Sequence, residues 1–277
     1  MTASDSVESN SLFRTVLLAP VSRLGRAAIR VVEQAGRLAI FFVTCLSRLV
    51  YWPFPVAEVI KQMHFIGARS LPVIAVAGLF TGMVVALQFY DALIRFGSVD
   101  LLGSVVALSL IRELGPVMAA LMVIARAGSA TCSEIAIMRN EQQFDALDCM
   151  AIDSFRYVML PRLIAGIIAV PLLTAIVNVV GIGGGYIVGV IIQGVSDGAY
   201  LGGMADTVLW SDVRMGLVKS TLFGAVIFCV VLAKGYYVHI EQPVSGAEGV
   251  GRATTDAVVL SAMLMLFTDY VVSALML

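Results

Sequence analysis

Charged residues are scarce in this chain. Asp, Glu, Lys and Arg make up 13% of its 277 residues, whereas 60% of the residues are hydrophobic. Soluble domains carry about 25% charged residues and about 45–50% apolar ones, so the composition indicates a protein surrounded by lipid. The formal net charge of −1 excludes a general nucleic-acid-binding function, which depends on a basic surface.

Motifs for nucleotide binding and for metal-dependent catalysis are also missing. The sequence contains neither a GxxxxGK[ST] phosphate loop nor an HExxH helix, and its two histidines, His64 and His239, are far apart. The four cysteines have no metal-ligand spacing, and we interpret them as buried thiols: Cys45, Cys132, Cys149 and Cys229. We therefore expect no catalytic residue, no metal and no bound cofactor. If the protein does work against a gradient, the energy must come from a partner or from an ion.

Five apolar stretches are long enough to cross a bilayer, which requires about 20 residues of helix. They cover residues 71–90, 101–125, 163–196, 215–233 and 257–277. The third contains Pro171, Asn178 and a run of glycines from Gly181 to Gly185, which predicts a tilted or broken helix. The pattern predicts an all-α integral membrane protein with a transmembrane domain at 67–277.

The region before the first span predicts a basic amphipathic helix. Its apolar residues recur every three or four positions, and arginines lie off that stripe: Leu24, Ala28, Val31, Ala35, Leu38, Phe42, Cys45 and Leu49. This pattern is typical of a helix that lies along a membrane surface. Pro53 and Pro55 end it. We assign residues 1–66 to a cytoplasmic N-terminus with an interfacial helix.

The distribution of basic residues predicts the orientation. Lys and Arg are frequent before the first span and occur in the loops after the second and fourth spans, whereas residues 193–212 contain three aspartates and no basic residue. Because cytoplasmic loops are enriched in Lys and Arg, we expect a cytoplasmic N-terminus and a periplasmic C-terminus.

A short amphipathic helix is predicted at about 140–151, in the loop between the second and third spans. Asn140 is a suitable cap, with Gln143 three residues later. Apolar Phe144, Leu147 and Ala151 share one face, and the opposite face is acidic. The helix could lie at the lipid headgroups, but an anionic membrane would repel its acidic face, which favours a protein partner.

Motifs along the chain resemble the MlaE/YrbE permeases of MCE-associated ABC transporters. They comprise Arg112-Glu113-Leu114-Gly115-Pro116, Ala125-Arg126-Ala127-Gly128-Ser129-Ala130, Glu134, Met138-Arg139, Gln143, Asp145-Ala146-Leu147, Pro161-Arg162 and the segment from Gly246 to Thr255. The resemblance implies a homodimeric permease that moves phospholipid between the inner membrane and the periplasm and maintains outer-membrane lipid asymmetry. It also implies ABC ATPase subunits that bind ATP and Mg²⁺, a periplasmic ring of MCE-domain subunits and, in many members, a STAS-domain subunit.

By this resemblance the short cytoplasmic helix is the coupling helix, which sits in a cleft of the ATPase. The residues that it assigns to this contact are Arg139, Glu141, Gln142, Gln143, Phe144, Asp145 and Leu147. One departure from the family is the pair Gln142-Gln143, where the family usually has Glu-Gln. A neutral amide can hydrogen-bond the ATPase but cannot form an ion pair with it. Ala136 also replaces a usual glycine.

Three charged residues fall within apolar runs and are predicted to lie in the outer half of the bilayer: Glu113, Lys219 and Asp269. A charge at mid-bilayer costs roughly 2.5–3.5 kcal/mol on insertion scales, so such residues face a bundle interior or a wet cavity. They either line a lipid cavity open to the periplasm or form a buried ion pair. Candidate cavity-wall residues, which could equally face lipid, are Val85, Gln88, Phe89, Leu93 and Phe96.

Two other function classes remain open on the residues alone. An ion-coupled secondary transporter would use Glu113, Lys219 and Asp269 as a relay, although the sequence shows no convincing inverted repeat. An inert scaffold for a periplasmic partner would explain the spans but not the buried charges.

Overall fold

The computed structural model describes residues 25, 28–29, 32–45, 47–48, 56–241 and 246–276. Across these ranges the secondary structure is helical, without strands. Five of the helices are long and apolar enough to cross a membrane: α1 (Val56–Arg95), α2 (Val99–Asn140), α4 (Phe155–Ile192), α6 (Trp210–Tyr236) and α8 (Ala247–Met276). Three short helices connect them: α3 (Gln143–Cys149), α5 (Gly203–Thr207) and α7 (Val238–Glu241). The all-α class and the five spans are confirmed.

The first helix is longer than the apolar run that predicted it. Its first turns, Val56–Met63, are strongly amphipathic, and Glu58 pairs with Lys61 at 3.6 Å. Helical backbone therefore continues through the expected boundary between residues 66 and 67. The hydropathy pattern marks only the part of α1 that is apolar all round.

The expected break in the third span is absent. α4 runs as one helix with Pro171 in its interior. Its glycines instead form the contact surface with α1, where Gly82 faces Gly181 and Gly184 faces Leu79. Prolines and glycines are tolerated in spanning helices because neighbouring helices support the backbone.

This contact lies within one chain. A Cβ atom on Gly82 would lie 1.8 Å from the carbonyl oxygen of Gly181, and one on Gly184 would lie 2.4 Å from that of Leu79. Small residues four apart let two helices pack backbone against backbone. Gly78 and Gly82 on α1 and Gly181 and Gly185 on α4 have this spacing, which thus specifies the α1–α4 pair.

Residues 32–45 of the N-terminal region are helical. They pack on the end of the bundle that carries α3, which is called the inner end below. Phe41 and Cys45 are buried in the core, with Leu38 packed beside them, whereas Phe42 is 45% exposed. The predicted apolar stripe is therefore divided: Leu38 and Cys45 pack on the protein together with Phe41, whereas Phe42 stays exposed. Leu24, Val31 and Leu49, also assigned to that stripe, lie outside the described residues.

We predict that Gly82→Ala destabilises the protein by about 1–3 kcal/mol, because overpacking forces α1 and α4 apart. Thermal unfolding in detergent, followed by size-exclusion chromatography, measures the effect. Gly183→Ala is the matched control, since a Cβ atom there meets nothing within 4 Å. Equal unfolding temperatures for the two variants would contradict the close contact.

Candidate functional site

Lys219 lies at the centre of a charge cluster formed by three spans. Its side chain is fully buried, and its Nζ lies 2.5 Å from Glu113 Oε2 and 3.1 Å from Asp269 Oδ1. Nζ also donates to the carbonyl oxygen of Arg112 at 3.1 Å. The structure thus brings together the three intramembrane charges predicted on α2, α6 and α8.

Local backbone features position this cluster. In α2, residues Leu110–Leu114 form a widened π-type turn that carries both Arg112 and Glu113, and such turns are frequent at functional sites. One turn before Lys219, Gly216 allows close contact, because a Cβ atom there would lie 2.5 Å from the carbonyl oxygen of Ile111. The small residue lets α6 approach α2 closely enough for Lys219 to reach Glu113.

The three charges form one ion-paired cluster whose members differ in exposure. Lys219 is inaccessible, whereas the side chain of Glu113 is 41% exposed and that of Asp269 is 19% exposed. The hydroxyl oxygen of Ser273 in α8 lies 3.3 Å from Glu113 Oε1 and 2.8 Å from the carbonyl oxygen of Asp269, so its single proton is donated to one or the other. The lysine neutralises two carboxylates, and the side chain of Glu113 stays partly exposed.

A second ion pair next to this cluster was not predicted. Arg112 donates through Nε and a terminal nitrogen to Asp212 Oδ1, at 2.9 and 2.6 Å, and Asp212 is almost completely buried. Asp212 Oδ2 accepts from the backbone N–H of Leu209 at 2.9 Å and so caps α6. An acidic residue in the first turn of a helix is a recognisable cap signal, but the sequence does not indicate its distant partner.

Charges nearer the inner end are paired as well. Arg126 donates to the carbonyl oxygen of Phe65 at 2.8 Å and to Ser70 Oγ at 2.9 Å. Arg162, which is almost fully buried, pairs with Glu134 at 3.0 Å. These contacts tie α1 to α2 and α2 to α4.

The predicted cavity-wall residues follow the outer part of α1. Val85, Phe89 and Leu93 are half-buried against an outer core cluster that contains Tyr200 and is also contacted by Leu114, the neighbour of Glu113. Gln88 is exposed, and Phe96 is 81% exposed. In the single chain these residues form an outer apolar wall, not an enclosed cavity around Glu113.

The predicted coupling helix is present as α3, with a start that differs from the expectation. Asn140 is the last residue of α2, and α3 begins at Gln143 after Gln142, which has a left-handed φ of 58°. The assignment of Asn140 as cap was therefore wrong, because the chain reverses direction at Gln142. Gln143 Nε2 instead donates to Glu141 Oε2 at 2.6 Å.

Phe144 anchors α3 to the bundle. Its side chain is fully buried, and its ring meets that of Tyr236, at the end of α6, edge-on with 5.5 Å between centroids. The rings of Phe155 and Phe41 lie 5.0 and 6.2 Å from that of Tyr236. This inner aromatic cluster (Phe41, Phe144, Phe155, Tyr236 and Tyr237) connects the N-terminal helix, α3, α4 and α6.

The remaining predicted coupling residues divide by exposure. Glu141, Gln142, Gln143 and Asp145 are exposed, and Leu147 is half-buried against the core. The structure places Phe144 in the permease core, so its inclusion among partner-contacting residues is corrected to an anchoring role.

The expectation that all four cysteines are buried was wrong for one of them. Cys149, on α3, is exposed, whereas the other three are buried. Its position at the end of the short helix leaves the thiol outside the packed bundle.

One pentapeptide of the chain matches a nucleophile motif of hydrolases. Gly194-Val195-Ser196-Asp197-Gly198 has the spacing GxSxG, which in hydrolases forms a strand–turn–helix elbow. Here it joins helical segments: Ser196 Oγ accepts from the N–H of Ala199, and Asp197 accepts from the hydroxyl of Tyr186 at 2.6 Å. The context for an elbow is lacking, and the residues act as a turn.

We predict that Lys219→Met destabilises the protein by about 1–3 kcal/mol, because it leaves two partly buried carboxylates without their shared cation. The measurement is thermal unfolding of the purified protein. Lys219→Met combined with Glu113→Gln and Asp269→Asn is the control, and removal of all three charges should restore most of the lost stability. A single variant as stable as the unaltered protein would contradict the buried pairing.

Comparisons with known proteins agree with this architecture. The profile described as Permease MlaE matches residues 59–275. A probable ABC transporter permease protein of Rickettsia bellii is 40% identical over 260 residues, which cover 94% of this chain and 98% of the relative. The intermembrane phospholipid transport system permease protein MlaE of Haemophilus influenzae is 39% identical over 92% of this chain and 97% of its own length. The chloroplast protein TRIGALACTOSYLDIACYLGLYCEROL 1 of Arabidopsis thaliana is 31% identical over 83% of this chain and 63% of its own length. A five-span bundle with these matches along nearly its whole length is a member of the MlaE permease family.

Proposed function

We propose that this chain is the permease subunit of an ATP-driven ABC transporter that moves phospholipid between the inner membrane and a periplasmic partner. The observation that carries the proposal is α3, a short helix fixed to the bundle by buried Phe144 and exposing an acidic face. Such a helix transmits movement of a partner into the spans. The name of the Haemophilus relative supports phospholipid as the substrate.

The energy for transport comes from a separate ABC ATPase, which binds ATP and Mg²⁺. Exposed Glu141, Asp145 and Asp148 give α3 a surface suited to a basic cleft in that partner. Since Phe144 packs against Tyr236, a displacement of α3 is transmitted directly to the inner end of α6.

Lipid binds at the end of the bundle that carries the outer charge cluster of Glu113, Lys219 and Asp269. Two copies of the chain enclose a cavity between their outer apolar walls, built from Val85, Phe89 and Leu93, with the exposed edge of Glu113 at its polar end. The cavity delivers lipid to, or receives it from, a periplasmic ring of MCE-domain subunits. A STAS-domain subunit completes the complex, whose role is to maintain outer-membrane lipid asymmetry.

The second candidate function, an ion-coupled transporter, has one specific observation in its favour. Lys219 between two carboxylates resembles a proton relay, because intramembrane ionisable groups often carry ions. Reconstituted vesicles separate the candidates. Lipid movement that requires the ATPase and ATP supports the first, and movement driven by an ion gradient without the ATPase supports the second.

We predict that Asp148→Arg weakens association with the ATPase subunit at least about tenfold, because it reverses a charge on the exposed face of α3. Copurification and measured affinity in detergent report the effect. Asp206→Arg is the matched control, since this exposed aspartate lies in α5, which is predicted to be periplasmic. Equal affinity for the two variants would argue against α3 as the docking helix.

We predict that a membrane-impermeant maleimide labels native Cys149 in inverted vesicles and not in intact spheroplasts. Cys149 is the single exposed cysteine among the four, and the predicted orientation places it in the cytoplasm. A cysteine introduced as Asp206→Cys should give the opposite pattern. Labelling of Cys149 from outside would invert the proposed topology.

A further inference from the structure

Arg139 is held inside a small cluster at the junction of α2, α3 and α7. Its Nε lies 3.2 Å from Nδ1 of His239, and one terminal nitrogen donates to Asp145 Oδ1 at 3.1 Å. The guanidinium also lies over two rings, 5.2 Å from the centroid of Tyr236 and 6.0 Å from that of Phe144. One side chain thus contacts the base of α3, its anchor and the end of α6.

The imidazole of His239 supplies an acceptor to Arg139 only while it is neutral. If Nε2 carries the proton, Nδ1 accepts from Nε of Arg139. If Nδ1 carries it, that nitrogen donates to the carbonyl oxygen of Tyr236 at 3.2 Å, and Nε2 faces a terminal nitrogen of Arg139 at 3.4 Å. Because a doubly protonated imidazole has no acceptor, either tautomer works and the cation does not.

We propose that neutral His239 is a positioning residue for the coupling helix: it orients Arg139, and Arg139 in turn holds Asp145 and the ring of Phe144. An imidazolium there would place a second positive charge against the guanidinium and release α3 from α7. The consequence for transport rests on the proposed coupling role of α3, whereas the consequence for the position of α3 does not.

The other charged groups around His239 do not replace this interaction. Asp145 of α3 is already bound by Arg139, and Tyr236 of α6 contributes a carbonyl oxygen and a ring. On α8, which packs against α7, Glu248 and Arg252 pair with each other at 2.5 Å. Arg139 is therefore the charge that His239 meets directly.

The protonation equilibrium agrees with this role. Burial, and then the positive charge of Arg139, lower the pKa of His239 below its ordinary value. A depressed pKa means that the folded cluster favours the neutral imidazole. The resulting stabilisation is complete above the ordinary pKa and is lost as the pH falls through the lowered one.

The first experiment uses the full-length permease alone and measures amide hydrogen exchange of residues 140–151, corrected for the intrinsic effect of pH. Between about pH 7.5 and about pH 5, exchange in the unaltered protein should rise roughly tenfold as a charge-assisted hydrogen bond is lost. His239→Gln keeps an acceptor that does not titrate, so its exchange should stay constant. His239→Lys should exchange rapidly at both pH values.

The sequence offers a matched control, because its only other histidine is His64, an exposed residue of α1. His64→Gln should show the same pH response as the unaltered protein. A pH response retained in His239→Gln, or protection retained in His239→Lys at about pH 7.5, would overturn the positioning role.

The second experiment uses the permease–ATPase complex and measures lipid moved per ATP hydrolysed over the same pH range. This ratio should fall at low pH in the unaltered complex and in His64→Gln, but not in His239→Gln. If exchange follows the prediction while the chain binds no ATPase, the proposed function fails and the role of His239 stands. If transport is ATP-driven but neither readout depends on His239, the proposed function stands and this inference fails.

Discussion

The position of α6 in the bundle is the constraint on which the arrangement depends. It is the most buried of the five spans found in the described ranges, and it carries Lys219 in its outer part and Tyr236 at its inner end. At 1.5 Å per residue these two side chains lie about 26 Å apart along one rigid element. Because Lys219 binds α2 and α8, while Tyr236 binds the rings of α3 and α4, the outer charge cluster and the inner aromatic cluster are joined by a single helix.

The outer charge cluster follows from the cost of polar groups in lipid. A buried lysine is tolerated because two carboxylates and a backbone carbonyl oxygen surround it, and glycine at 216 lets the helices approach closely enough to form these contacts. At the inner face, Arg139 is likewise surrounded by an acidic partner, an imidazole and two aromatic rings. Ion pairs are strong around Lys219 because water competes little there, whereas the contacts of Arg139 lie at an exposed surface, where each is weaker and several act together.

The anchoring of α3 explains how so short a helix can act mechanically. Seven residues are too few to be stable alone, and most helical stability comes from tertiary packing. Phe144 and the half-buried Leu147 supply that packing, which leaves the acidic side free for a partner. The N-terminal helix reaches the same aromatic cluster through Phe41, so three separate segments depend on the ring of Tyr236.

The sequence by itself determined the all-helical membrane class, the five spans and the amphipathic segment between the second and third of them. Each of these is a property of local composition and periodicity. The signal is strong because the interior of a lipid bilayer is apolar. It also identified Glu113, Lys219 and Asp269 as charges within the membrane, since ionisable residues in apolar runs stand out. Only the tertiary structure decided their partners, the pairing of Arg112 with Asp212, the inward orientation of Phe144 and Phe41, and the contact of His239 with Arg139. These interactions join residues that are about 100 positions apart or lie on different helices. The packing of all the helices together decides which face of each helix contacts a given neighbour.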